Sequence, residues 1–320
     1  MAADAGGARG TRTRGWSAAR VPAQEGRTAV VTGANSGIGY VAARELARHG
    51  AHVVLACRSE KRGADAVARL LSEVPGAHAE FSRLDLGDLA SVRDFADRHV
   101  RRPVDVLLNN AGVMALPYGR TADGFERQFG VNHLGHFALT GLLLPALLSA
   151  RASRVVTVSS GLHLLGNIDP RDLNSEHHYR RWLAYGRSKT ANLLFTHALA
   201  RRLEAAGADT VAAAAHPGYA RTNLQTAGVR MEGRKAAERL AALGTRLVGQ
   251  PAEAGALPSL YAATAPGVGQ DSFIGPRFLM WRGAPAPSWR APWTRDDASA
   301  RRLWSASEEL TGVRYALPEA

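Results

Sequence analysis

Tyr185 and Lys189, in Tyr185-Gly-Arg-Ser-Lys189, have the residue types and spacing to move a proton. On a helix, residues four apart share a face, so the phenol and the ammonium can point into one site. A free phenol holds its proton to a pKa of about 10. A fixed cation beside it favours phenolate, so Lys189 is expected to lower the Tyr185 pKa towards the range useful to a general acid/base. Among 40 basic residues the only lysines are Lys61, Lys189 and Lys235. A compact ammonium at 189, in a chain that otherwise uses arginine, is not replaceable by a planar fork. Tyr-x-x-x-Lys also arises by chance on many helices, so its meaning depends on the surrounding elements.

Those elements alternate. Thr28 to Thr32 is a short β-branched run, followed by Gly33-Ala-Asn-Ser36-Gly37-Ile38-Gly39 and a helical segment from Tyr40 to His49. Strand, glycine turn and helix form a pyrophosphate-binding unit, because the backbone can approach closely and free amides face the charge. A second strand, Ala51 to Cys57, ends at Arg58 with Arg62 close behind, where an NAD-selective protein would place an acid. An arginine fork suits a 2′-phosphate, so NADP is expected over NAD. Further strands are expected at Ala79 to Leu84, running into Asp85-Leu86, and at Val104 to Leu108, running into Asn109-Asn110-Ala111-Gly112. A long helix is predicted from Thr121 to Ser149, with Asn132 among apolar residues. The strand Arg154 to Val158 finishes in Ser159-Ser160, and alternation allows only one of these serines to face a substrate. After the Tyr185 helix come a strand from Thr210 to Ala215 and the turn His216-Pro217-Gly218, with Thr222 beyond it. A helix from Ala252 to Thr264, a short last strand from Asp271 to Ile274, a Pro/Trp-rich stretch and a helix from Asp296 to Thr311 complete the chain.

This alternation predicts an α/β fold: a single-domain, doubly wound parallel sheet of Rossmann type with helices on both faces. Residues 1–23 read as a flexible basic tail carrying Arg9, Arg12, Arg14 and Arg20, and residues 24–315 as the domain, with a substrate lid at about 222–250. The net charge of +12 is spread without a basic block and interleaved aromatics, which argues against nucleic acid and for an anionic small molecule. Cys57 is the only cysteine, and the histidines lack zinc-protease spacing, so no metal is expected. No apolar run reaches the length of a membrane span, and no signal-peptide core is present, so the expected location is cytoplasmic.

Taken in series, these motifs resemble the short-chain dehydrogenase/reductase family over roughly residues 24–312. They are Thr32-Gly33-x-x-x-Gly37-x-Gly39, Asp85-Leu86, Asn109-Asn110-Ala111-Gly112, Asn132, Ser160, Tyr185-x-x-x-Lys189, and Pro217-Gly218 with Thr222. Leu-Ala-Cys-Arg58, Val-Asn-His-Leu-Gly-His-Phe and Arg-Leu-Trp-Ser-Ala-Ser-Glu-Glu-Leu-Thr-Gly resemble its retinol-dehydrogenase-like and WW-domain-oxidoreductase-like branch, without a WW module. The resemblance implies that Tyr185 is the proton donor to a carbonyl oxygen, or base in reverse. It also implies that Lys189 holds the nicotinamide ribose, that Ser160 binds the substrate oxygen, and that Asn132 anchors a water-linked relay. Gly33, Ser36, Gly37, Ile38 and Gly39 would line the pyrophosphate, with Arg58 at the 2′-phosphate and Asp85 and Leu86 at the adenine. Asn110, with Ala111 and Gly112, would meet the adjacent ribose, and Pro217, Gly218 and Thr222 the nicotinamide side. The expected partner is a carbonyl or alcohol substrate, apolar by resemblance to that branch, handled by a homodimer or homotetramer. The alternative function is a cofactor-binding regulatory or scaffolding protein of weak activity, a class that tends to lose the Tyr or Lys retained here.

Overall fold

The computed structural model describes residues 15–219 and 249–317. Seven strands run parallel: β1 (Thr28–Thr32), β2 (His52–Cys57), β3 (His78–Arg83), β4 (Val106–Asn109), β5 (Arg154–Val158), β6 (Val211–Ala215) and β7 (Phe273–Phe278). An eighth, β8 (Arg282–Pro287), pairs antiparallel with β7, and the order across the sheet is β3-β2-β1-β4-β5-β6-β7-β8. The order reverses between β1 and β4, and the loops leaving those strands open a crevice at the carboxyl edge, where such sheets take ligands.

Alternating strand residues feed two cores. Val30, Val54 and Leu107 point to one face, under α3 (Leu89–His99), α5 (Gly135–Leu142), α7 (Arg181–Ala205) and α9 (Asp297–Thr311). Their neighbours Val31, Leu55 and Leu108 point to the other, under α1 (Gly37–Arg48), α2 (Glu60–Glu73) and α8 (Ala252–Thr264). A strand buried on both faces reads as a continuous apolar run, which is why β1, β4 and β5 stand out in the sequence. Two short helices, α4 (Arg127–Phe129) and α6 (Leu144–Ser149), flank α5.

Three expectations change. The long helix from Thr121 to Ser149 is not one element. Residues Arg120 and Glu126 form an antiparallel bridge, the helix begins at Arg127, and Gly130–Leu134 is a π turn. A second break falls at Leu143, two residues before Pro145 in the first turn of α6, because proline removes a helical donor. The Pro/Trp-rich stretch contains β8, so the sheet does not end at the short strand expected from Asp271. Within the expected flexible tail two residues are packed: Trp16 is buried with its ring edge-on to Tyr261, 5.2 Å between centroids, and Val21 is buried as well.

Candidate active site

The glycine turn folds back on the loop after β4. Gly33 has φ +66°, a left-handed conformation costly for other residues, and its N–H bonds Ala56 O at 2.8 Å. A Cβ on Gly39 would lie 2.4 Å from Asn110 Nδ2 and 2.7 Å from Gly33 O, so only glycine allows α1 to start there. Ser36 occupies the N-cap of α1 without a side-chain hydrogen bond, and Gly37 and Ile38 begin the helix behind it. Amides left uncapped at a helix N-terminus suit an anion. From this turn a cleft of about 630 Å³ runs past Arg58, Arg62, Asp85 and Leu86 to Ala111 and Gly112. Arg58 Nε is 3.9 Å from Asp85 Oδ2 and its side chain is 70% exposed, so the pairing is weak and the guanidinium can turn to another anion.

Asn132, Ser160, Tyr185 and Lys189 gather behind Gly112, at one end of the cleft. Ser159 points inward, its hydroxyl donating to Lys189 O at 2.8 Å, while Ser160 Oγ, accepting from Leu162 N–H at 3.2 Å, lies beside the Tyr185 phenol. Tyr185 and Lys189 are both buried on α7, and Lys189 Nζ donates to Val158 O at 3.0 Å. Nζ stands 5.7 Å from the Tyr185 ring centroid. A Cβ on Gly112 would sit 3.1 Å from Asn132 Oδ1 and 3.5 Å from Lys189 Nζ, which places Asn132 beside the lysine. The Asn132 amide is fully engaged: Nδ2 donates to Val113 O and Ser188 Oγ, both at 2.9 Å, and Oδ1 accepts from Val113 N–H at 2.8 Å. Its backbone carbonyl, in the π turn that interrupts the usual ladder, is met by His136 Nδ1 at 3.0 Å. Such turns are frequent at functional sites.

His136 and His163, two of the histidines without metal-binding spacing, brace the site. Thr32 Oγ1 accepts N–H bonds from Asn110 and Ala111, both 2.9 Å, and lies 2.9 Å from His136 Nε2. Nδ1 of the same ring is 3.0 Å from Asn132 O, which can only accept, so the proton belongs on Nδ1 and Thr32 donates to Nε2. Burial pushes His136 down to about 4, with Lys189 adding to the effect, so this neutral tautomer holds at physiological pH. His163 likewise contacts Ser160 O at 2.6 Å through Nδ1 and accepts Ala291 N–H at Nε2. Asn110 Nδ2 is engaged with Thr32 O at 2.7 Å, so its amide braces the turn. No periodicity marks these long-range partners. Gly218 packs against the β7–β8 hairpin, where a Cβ on it would lie 2.2 Å from Trp281 O, and Pro217 O accepts from Gln250 Nε2 at 2.6 Å. Thr222 and almost all of the expected lid lie outside the described residues.

The electrostatics differ from the simple expectation. Burial, the larger effect, pushes Tyr185 up to about 12 against the neighbouring Ser160 hydroxyl, which lowers it. Lys189 does not offset this, because its ammonium is directed to Val158 O. Burial also pushes Lys189 down to about 8, and among the described residues no carboxylate pairs with it. A buried cation without a counter-ion is costly by itself, and a neighbouring uncapped helix start and glycine floor make the cleft receptive to a polyanion. Donors, cradle and cation together fit a nicotinamide dinucleotide.

Known proteins agree. Residues 27–233 match the family model of the short chain dehydrogenases. The chain is 42% identical over 295 residues to human (Homo sapiens) retinol dehydrogenase 12, covering 91% of this chain and 88% of that one. It is 44% identical over 300 residues to polyprenol dehydrogenase of Mus musculus, with 92% and 86% covered. An uncharacterised protein from Mycobacterium paratuberculosis, solved by crystallography, is 47% identical and superposes with a TM-score of 0.79 over 94% of this chain and 99% of its own. The chain belongs to the short-chain dehydrogenase family, in its retinol-dehydrogenase-like branch, and is an oxidoreductase of alcohols and carbonyls that works with a nicotinamide cofactor.

Proposed function

We propose that this oxidoreductase uses NADP(H) and interconverts an apolar alcohol with its aldehyde or ketone. The observation that carries the reading is the half-buried Ser160 beside the buried Tyr185 and Lys189, the lysine without a carboxylate partner among the described residues, behind Gly112 of a cleft that also carries Arg58 and Arg62. Bound in that cleft, the dinucleotide supplies or accepts the hydride. Ser160 Oγ holds the substrate oxygen. Tyr185 Oη, protonated at neutral pH because burial raises its pKa, gives its proton to that oxygen in reduction. Lys189 contributes positive charge where negative charge gathers. Arg58 and Arg62 favour a 2′-phosphate over a bare ribose, since no acid occupies the end of β2.

Two relatives are named for retinol and polyprenol, both long apolar alcohols, which supports an apolar substrate here. A solved relative from Beutenbergia cavernae, described as a candidate NAD(P)-dependent gluconate 5-dehydrogenase, is 32% identical, has a TM-score of 0.56 and was crystallised with NADP. The test is turnover of retinal, a polyprenal and a short polar aldehyde, each with NADPH and with NADH. The expected result is preference for NADPH and for the apolar aldehydes, with Arg58→Asp reversing the cofactor preference. Equal use of both cofactors sinks the NADP reading. Tight NADPH binding without turnover of any substrate restores the scaffold reading.

A further inference from the structure

The turn between β7 and β8 carries Leu279 and Met280, with φ of +48° and +58°, closed by a hydrogen bond from Trp281 N–H to Phe278 O at 2.9 Å. Two consecutive left-handed positions belong to asparagine and glycine, since larger side chains clash with their own backbone there. Met280 is half-buried against Leu193, Ala214 and Phe273, but the fold gains nothing by placing leucine at 279. Nor does burial account for it: Leu279 is 80% exposed, and beside it Phe278 is 59% and Trp281 43% exposed. Large apolar groups displayed on a strained turn mark a surface kept for contact.

Charge names the partner. Arg277 and Arg282 are exposed on either side of the tip, and from Ser272 to Arg295 the sequence contains no carboxylate. Exposed tryptophans, at Trp281 and at Trp289 (60% exposed), are side chains that settle at a lipid–water boundary, apolar body inward and ring N–H outward. Apolar residues at the tip with arginines behind them match the depth profile of an anionic bilayer: hydrocarbon first, phosphate above it. The tip also adjoins the catalytic machinery. Met280 Cε lies 3.9 Å from where a Gly161 Cβ would be, next to Ser160, and Leu164 and Leu165 are exposed on the turn that Gly161 begins.

We infer that the β7–β8 tip is an interfacial anchor that docks this enzyme on anionic lipid, with Phe278, Leu279 and Trp281 in the acyl boundary and Arg277 and Arg282 on lipid phosphates. The anchor sets the mouth of the site against the bilayer. Co-sedimentation of the full chain with vesicles of phosphatidylcholine, with and without phosphatidylserine, tests it. The wild type is expected to pellet with the mixed vesicles. Leu279→Asn supplies a residue that the turn prefers and leaves Met280 packed, so the melting temperature should hold or rise while vesicle affinity falls about tenfold or more, as expected for withdrawing one large apolar side chain. Arg277→Gln with Arg282→Gln, which leaves the turn intact, should lower affinity about tenfold or more for the phosphatidylserine vesicles only. A wild type that stays in the supernatant, as it would if the tip paired two copies of the chain, overturns the inference. So does a tip variant that pellets like the wild type, or an arginine variant with undiminished binding.

Discussion

The helix α7 carries two buried cationic side chains about 12 Å apart along its axis, eight residues at the usual rise, and treats them in opposite ways. Lys189, in the first half, has a carbonyl for company and is pushed down to about 8 by burial. His197, in the second half, sits between Asp271 and Asp297 at 2.8 and 2.9 Å, and its pKa is raised, chiefly by the hydrogen bond to Asp271. Behind it the buried Arg290 guanidinium grips both oxygens of Asp271. The half that ties α7 to β7 and α9 is fully compensated. The half that faces the cleft is left with a charge unmet. An uncompensated cation lowers stability, and a fold tolerates it where something else benefits.

The sharpest way to break that contrast is Tyr185→Phe. The phenol is the proton source on the uncompensated side, so kcat/KM for a confirmed aldehyde should fall about 10⁴-fold, with NADPH affinity within about threefold of wild type by fluorescence titration. A smaller loss means that another donor serves the oxygen. On the compensated side, Asp271→Asn strands the Arg290 guanidinium, whose side chain is 1% exposed, and should cost about 3–5 kcal/mol in denaturant unfolding. A cost near zero removes the distinction between the halves.

Lys189→Met should move stability the other way while still disabling turnover. The folded-state pKa is depressed from 10.5 to about 8, so the native state binds fewer protons than the unfolded chain between those values, and wild-type stability rises with pH there. The variant lacks this group, so it should melt higher than wild type near pH 7, an effect of order 2 kcal/mol, and the gap should close as the pH approaches 10.5. Thermal melts across that window decide it, and a variant that melts lower at neutral pH contradicts the picture. The mildest test is His197→Gln. A raised histidine pKa gives stability that is complete below the unfolded value of 6.5 and lost as pH climbs through the folded value. The variant should therefore lose about 1 kcal/mol at pH 6 and less at pH 9, by the same melts.

The two halves were not equally legible. Tyr185 and Lys189 announce themselves because their relation is local, four residues on one helix, and the strands that carry Gly33, Asn110 and Ser160 are continuous apolar runs. His197, Asp271, Arg290 and Asp297 come together across a hundred positions, and nothing in their spacing foretells it. The same limit hid the bracing by His136, which depends on Thr32 and Asn132 meeting across the sheet edge. The expected lowering of the Tyr185 pKa failed because spacing sets which face a lysine occupies, not where its ammonium hydrogen-bonds. The single helix expected from Thr121 to Ser149 failed for a different reason: nothing local in Gly130-Val-Asn-His-Leu134 distinguishes a π turn from an α turn, and Pro145 reads as a tolerated residue until the break at Leu143 is seen.

The outermost strand, β8, has a consequence for how the sheet meets its surroundings. Seven strands bring a ladder of donors and acceptors to this edge, and a bare edge invites another chain to continue it. Pro285 and Pro287 stand in the last strand opposite Pro276 and Ile274. A proline has no N–H to offer, so the ladder ends in chemistry as well as in space. The sheet is sealed against growth on the side where the chain also displays its apolar turn, and contact there is directed to side chains rather than to backbone.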